Sequence, residues 1–186
     1  MRYWTVQTRD VVEQIHENGI FEPDFKKSRY INKINSDLSE LYDFILQSFN
    51  HVNHMSLSGV VFAFTAYKDS TLYILETIED FQKIIRWRAE VIGGLWRNFD
   101  PNNHVVLEVE YLDDFNPVYM DINDFQFMMP PVRLLPPYSS DFSEKFRQNV
   151  SSGIFTESPL PSGLLQVHLP YIKEENLIAV HDFFSL

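Results

Sequence analysis

Arg2-Tyr-Trp-Thr-Val-Gln-Thr8, running into Arg9-Asp-Val-Val-Glu-Gln-Ile-His-Glu-Asn18 and then Gly19-Ile-Phe21, decides the fold class. Tyr3, Thr5 and Gln7 alternate with Trp4 and Val6 in β-favouring residues, so a short strand buried mainly through Trp4 and Val6 is expected. Thr8 offers a hydroxyl to the orphan amides of a following helix, and Asp10 suits that helix's positive end. Val11, Val12 and Ile15 form one apolar stripe, and Gly19 stands where a left-handed cap is needed. About ten residues of helix are marginal alone. The stripe must therefore pack on the strand, with Trp4 in the core.

The pattern continues outward from this unit. Ser36 caps a second helix with Leu38, Leu41, Ile45, Phe49 and Val52 at helical spacing. Gly59 to Tyr67 and Thr71 to Thr77 read as a hairpin about Lys68-Asp69-Ser70, both strands buried on both faces. Thr77-Ile-Glu-Asp80 opens a third helix through Ile78, Phe81, Ile84, Ile85, Val91 and Ile92, which Gly93-Gly94 should end. Asp100-Pro-Asn-Asn103 makes a turn. Val105, Leu107 and Val109 then form the buried face of a strand whose other face carries Val106, Glu108 and Glu110.

Shorter strands are expected at Val118 to Asp121 and Gln126 to Met129. Pro130-Pro-Val-Arg-Leu-Leu-Pro-Pro137 reads as an extended linker, because proline lacks the amide donor. Beyond it, Asp141 to Asn149 suggests one or two helical turns, and Leu164 to Leu169 and Leu177 to Val180 suggest edge strands. The expected fold is α+β, a mixed or antiparallel sheet packed by about three helices. Residues 1–137 would form the core domain and 138–186 a C-terminal extension or subdomain packed on it.

Composition narrows the classes. The 186 residues suffice for a core without staples, and 45% apolar and 15% aromatic content argue against disorder. The chain has no cysteine, which removes disulfides and thiolate chemistry and fits a reducing, cytoplasmic setting. Neither a signal peptide nor a membrane span is expected. Residues 1–100 carry 11 Lys and Arg against 14 Asp and Glu, whereas residues 101–186 carry 4 against 12. An acidic surface repels a phosphate backbone, so direct nucleic-acid binding is not expected, whereas a basic protein surface would suit it.

The chemistry on offer is sparse. No Gly-rich phosphate loop, GxSxG elbow or HExxH pair is present. His51-Val-Asn-His54 places two imidazoles three apart on a helix end, but a third ligand is missing, and no metal site is expected. Glu108 with Glu110, and Asp113 with Asp114, are carboxylate pairs of the kind that can do acid–base work, though exposed pairs are ordinarily just solvated. Arg86, Trp87 and Arg88, with Trp96 and Arg97, could stack on a planar anion or simply pack a helix. Lys26, Lys27, Arg29 and Lys33 form a lone basic cluster. No catalytic residue is identified.

Trp4-Thr5-Val6-Gln7, a helix ending before Gly19, and then Pro23-Asp24 with Lys27-Ser28 resembles a family of uncharacterised small bacterial and phage-borne proteins that open with Trp-Thr-Ile/Val-Gln. The likeness covers residues 1 to about 30, continues loosely through Gly59-Val-Val-Phe-Ala-Phe64 and Val105-Val-Leu-Glu-Val-Glu110, and fades past residue 125. A weaker likeness is to the start of ADP-ribosyltransferase-like domains, an aromatic then Thr on the first strand, a short helix and a Gly. That resemblance implies NAD, with Trp4 in the region of the NAD-orienting residue and Gln126 near the place of an acceptor-activating Glu. It also implies Thr5, Gln7, Ser28 and Arg29 as the polar groups near the nucleotide. Two functions are therefore expected in order. The first is a non-enzymatic acidic binding protein without a cofactor, in the manner of an inhibitor or accessory factor of a bacterial or phage mobile element, docking on a basic protein surface. The alternative is an ADP-ribosyltransferase-like or other nucleotide-binding domain.

Overall fold

The computed structural model describes residues 1–28, 36–112, 115–124 and 142–186, with the backbone alone for residues 36–38. Arg29, Lys33, Asp113, Asp114, the strand at Gln126 to Met129, the Pro130 to Pro137 linker and Asp141 lie outside the described residues. The elements run β1 (Arg2–Thr8), α1 (Arg9–Asn18), β2 (Ile20–Phe21), a 3-10 turn (Phe25–Lys27), α2 (Ser36–Asn53), β3 (Val61–Lys68), β4 (Thr71–Tyr73), α3 (Ile78–Trp87) and α4 (Ala89–Trp96). They continue with β5 (His104–Glu110), β6 (Val118–Asp121), α5 (Phe142–Ser151), β7 (Leu164–Leu169), β8 (Ile172–Lys173), a second 3-10 turn (Glu174–Asn176) and β9 (Leu177–Asp182).

The fold is α+β. Among the described residues seven strands form one sheet in the order β6-β7-β3-β1-β5-β9 with β4 beside β3, and β2 pairs with β8 apart from it. Each pairing between described strands is antiparallel. β1 lies inside, held to β5 from Arg2↔Glu110 to Thr8↔His104 but to β3 by the single partner pair Trp4↔Phe64.

Both faces of this sheet are covered, which corrects two expectations of one-sided burial. Trp4, Val6, Phe64, Ala66 and Val106 pack against Phe81, Ile85, Ile92 and Trp96 of α3 and α4. Tyr3, Ala63, Leu107, Val109 and Val167 pack against Val11 and Ile15 of α1. A third cluster joins Leu41, Ile45 and Phe49 of α2 to Phe146 and Val150 of α5 over Val118 and Met120. Tyr3 and Thr5 are therefore as buried as Trp4, and β5 is buried on the Val106 and Glu108 face as well.

Local chemistry explains most boundaries. Gly19 closes α1 with φ 75° and its N–H donating to the Ile15 carbonyl. Thr8 occupies the N-cap of α1 without a side-chain bond; the Arg9 amide instead donates to the Asn103 carbonyl at 2.9 Å. The β3–β4 turn sits on Asp69 and Ser70 with φ 50° and 60°, the left-handed pair that matches strand twist. Thr77 and Asp80 make a reciprocal capping box at α3.

Several expectations are corrected. β4 is only three residues long and its Thr71 and Tyr73 are exposed. The expected third helix is two, broken at Arg88, and among the described residues five helices pack the sheet. Gly93 and Gly94 lie inside α4 instead of ending it, since the burial of Ile92 and Trp96 outweighs the weak helix propensity of glycine. β7 is an interior strand between β6 and β3, every residue of it buried. β7 pairs with β3, and β9 with β5. α5 extends to ten residues, longer than the one or two turns expected.

Candidate functional site

The residues on which a nucleotide site was expected are placed as follows. Thr5 is fully buried; its Oγ1 donates to the Phe62 carbonyl at 2.7 Å and accepts from Gln7 Nε2 at 2.8 Å. Thr5 and Gln7 are thus brought together, with the hydroxyl's proton committed inside the sheet. Ser28 follows the first 3-10 turn on another element, its amide donating to the Phe25 carbonyl, and Arg29 is outside the described residues. Trp4 stacks on Phe81 at 5.3 Å and donates its indole N–H to the Leu75 carbonyl at 3.0 Å.

The other side chains singled out from sequence are distributed between core and surface. Glu108 is buried between Arg2 (3.1 Å) and His181 (3.3 Å), so it and Glu110 do not form a solvated pair. Trp96 is a core residue bonded to the Phe184 carbonyl. Trp87 is 61% exposed, with the Arg88 guanidinium 3.5 Å above its ring. His51 and His54 line an open cleft of about 620 Å³ with Asn116, Tyr119, Ser152 and Gly153, where α2 and α5 end. Among the described residues no group of three or more His, Asp or Glu is placed to hold a metal ion.

A different surface gathers charge and apolar area together. α1 exposes Asp10, Glu13 and Glu17, and the second 3-10 turn exposes Glu174 and Glu175. The two are tied by the β2–β8 ladder, with Ile20 opposite Lys173, and by the Glu174 amide donating to the Gly19 carbonyl at 2.9 Å. Basic side chains also stand on it: Arg9 of α1 lies 3.6 Å from Asp182, His16 Nδ1 lies 3.4 Å from Glu174, and Lys173 lies 3.5 Å from Glu175 and 5.0 Å over the Tyr171 ring. The Lys173 ammonium is held above its ordinary pKa, first by Tyr171 and then by Glu175.

Beside this turn is a pit of about 210 Å³ lined by Tyr111, Leu112, Phe115, Tyr171 and Ile178, with Glu110, Lys173, Glu175 and Asn176 at its polar margin. Tyr111 donates its hydroxyl to the Tyr171 carbonyl, and Asn176 clamps the turn by accepting from the Lys173 amide and donating to the Glu110 carbonyl. Burial raises the Tyr111 phenol above its ordinary pKa. Leu112 is 90% exposed at its edge. Next to the pit runs β9, the last strand of the sheet, alternating between partly covered and exposed residues, with Ile178 49% and Val180 43% exposed.

The strand at Leu177 to Val180 and its edge position are legible in the sequence, and the pit is not. Alternation marks the strand locally, whereas the pit is built from two chain segments, residues 110–112 with 115 and residues 171–178, that meet only in the fold. By sequence the excess of acidic residues lies in the second half of the chain. In the fold, Glu108, Asp121 and Asp124 from that half are buried, and the exposed carboxylate surface draws as much on α1. Among the described residues no helix is long and apolar enough to cross a membrane. Comparison of the chain with protein-family models, with curated proteins and with solved structures finds no match.

Proposed function

We propose that this is a non-enzymatic binding protein whose acidic face docks on a basic surface of a partner protein. One observation carries the reading: carboxylates from α1 and from the second 3-10 turn, distant in sequence, are held on one surface by the β2–β8 ladder. Helix physics favours Asp10, Glu174 and Glu175 in first turns but does not ask for Glu13 and Glu17. Glu13 and Glu17 are like charges at i,i+4, which costs a helix about 0.2–0.5 kcal/mol, and Glu17 sits in the last turn of α1, where the helix dipole disfavours an anion. Carboxylates retained against these local penalties suit a surface that meets cations on another molecule. The net charge of −11 adds long-range steering toward such a partner.

The test is capture from extracts of the cells that make the protein, comparing wild type with a Glu13→Lys/Glu17→Lys/Glu174→Lys/Glu175→Lys variant. A basic partner should be held at low salt, weaken as ionic strength approaches about 0.15 M, where the Debye length is ~8 Å, and be lost with the variant. Capture indifferent to both salt and charge reversal would overturn the reading.

A further inference from the structure

We infer that the outer edge of β9 is a strand-addition site for an extended segment of a partner protein. The segment would alternate apolar with Lys or Arg residues and seat one apolar side chain in the pit beside Ile178. This rests on the docking reading above and names its mode.

An open strand presents unpaired N–H and C=O groups and templates another strand unless it is blunted. The two ends of this sheet differ in that respect. β6 is four residues long and follows Pro117. β9 is six residues long, Leu177-Ile-Ala-Val-His-Asp182, with neither Pro nor Lys, and among the described residues nothing pairs with its outer side. Its one irregularity serves the site. Val109 pairs with Leu177 and Glu108 with Ala179, so Ile178 is an extra residue bulged out of the ladder. Bulges re-aim side chains, and Ile178 lines the pit.

The pit supplies what strand addition needs besides backbone bonds, a pocket for alternate side chains. A single water takes ~30 Å³ of liquid, so about 210 Å³ between Tyr111, Leu112, Phe115, Tyr171 and Ile178 has room for one apolar side chain. Charge then selects the segment. Glu174 and Glu175 precede β9 and Glu110 flanks the pit, so the pit end of the strand is acidic, whereas Asp182 at the far end is paired with Arg9 at 3.6 Å. A second copy of the chain would bring the same carboxylates and the same net charge against it, which disfavours self-pairing and favours a basic segment.

The probes are labelled peptides as long as β9 that alternate Lys with Val, Leu or Phe, titrated onto the full chain by fluorescence anisotropy, with oligolysine as the comparison. Each is made in two further forms, N-methylated on odd or on even amides, because only alternate N–H groups of an added strand face the sheet. At least one alternating peptide should bind better than oligolysine. One methylation phase should weaken that peptide about tenfold or more, and the other should stay within about twofold. Ile178→Lys and Leu112→Lys, both at exposed positions, should also weaken it while leaving thermal unfolding unchanged. Equal effects of the two methylation phases, insensitivity to Ile178→Lys, or no binding by any alternating peptide would overturn the inference. So would concentration-dependent self-association abolished by Val180→Lys, which gives the edge to a second copy. Oligolysine binding that is lost on Glu13→Lys/Glu17→Lys, with alternating peptides no better, would leave acidic docking standing and strand addition fallen.

Discussion

Tyr67 donates its phenolic hydroxyl to Asp121 Oδ2 at 2.5 Å, joining β3 to the end of β6 inside the protein. The same oxygen accepts from the Ser162 amide at 2.9 Å, and Oδ1 accepts from the Asn123 amide at 2.7 Å. Three donors thus satisfy a carboxyl group with no exposed surface. Tyr67→Phe removes one of them while keeping the ring against Phe155. The expected cost is about 1.5–3 kcal/mol, the range for a bond to a buried charged group. It is checked as a lower denaturant midpoint with unchanged slope.

Alkaline pH should act through the same tyrosine and through Tyr111. Both phenols are raised above their ordinary pKa, each first by burial; Asp121 adds to the effect on Tyr67, and Tyr171 to that on Tyr111. The folded state then holds two protons that the unfolded chain releases near pH 10, so stability falls as pH rises beyond about 10. Unfolding free energies measured on either side of that pH should show the decline, and Tyr67→Phe/Tyr111→Phe should flatten it.

At the acid end the responsible group is His168. It is wholly buried on β7, its Nε2 lies 3.2 Å from Gln166 Oε1, its ring sits edge-on to Phe62 at 5.4 Å, and its Nδ1 has no partner among the described residues. Burial pushes its pKa down to about 3. The unfolded chain therefore binds a proton that the folded one refuses between about pH 6.5 and 3, and stability is lost as pH falls through that window. At pH 4.5 the loss from this one group is about 2–3 kcal/mol. His168→Gln should remove that slope; an unchanged profile between pH 7 and 4.5 would place the titrating group elsewhere.

The elements legible in sequence were those specified by their own residues. The capping box at Thr77 and Asp80, the left-handed Gly19 and the apolar spacing of Leu41, Ile45 and Phe49 each act within a turn or two of chain. What escaped was set by distant partners. β7 has the composition of any short apolar strand, and its interior place depends on pairing with β3 on one side and β6 on the other. Glu108 reads as a solvated carboxylate until Arg2 and His181 close over it. The pit beside β9 escaped for the same reason, since Leu112, Tyr171 and Ile178 meet only in the fold.

Two glycines should respond oppositely to alanine. At Gly59 a Cβ would stand 2.7 Å from the Pro23 carbonyl oxygen and 2.9 Å from its carbon, backbone that is anchored by the Phe25 amide on the Ser58 carbonyl. Gly59→Ala should therefore cost about 1–3 kcal/mol through forced displacement. At Gly94, inside α4, a Cβ meets nothing within 4 Å. Gly94→Ala should stabilise by about 0.5–1 kcal/mol, the helix-propensity difference. Thermal unfolding of the pair decides it, and a destabilised Gly94→Ala would contradict the placement of that residue within a helix.

Thr5 offers the sharpest contrast between a framework role and a ligand role. β1 and β3 share the single register pair Trp4↔Phe64, and beyond it the Thr5 hydroxyl takes the Phe62 carbonyl that a ladder amide would otherwise serve. Thr5→Val preserves the side chain's shape but orphans that carbonyl and leaves Gln7 Nε2 without its acceptor. The expected loss is about 1–3 kcal/mol. Thr5→Ser, which keeps the hydroxyl and gives up a methyl group, should lose only about 0.5–1.5 kcal/mol. That ordering, Ser milder than Val, follows from the hydrogen bond and not from volume. Wild-type stability in Thr5→Val would free the hydroxyl from the framework and return it to the nucleotide reading.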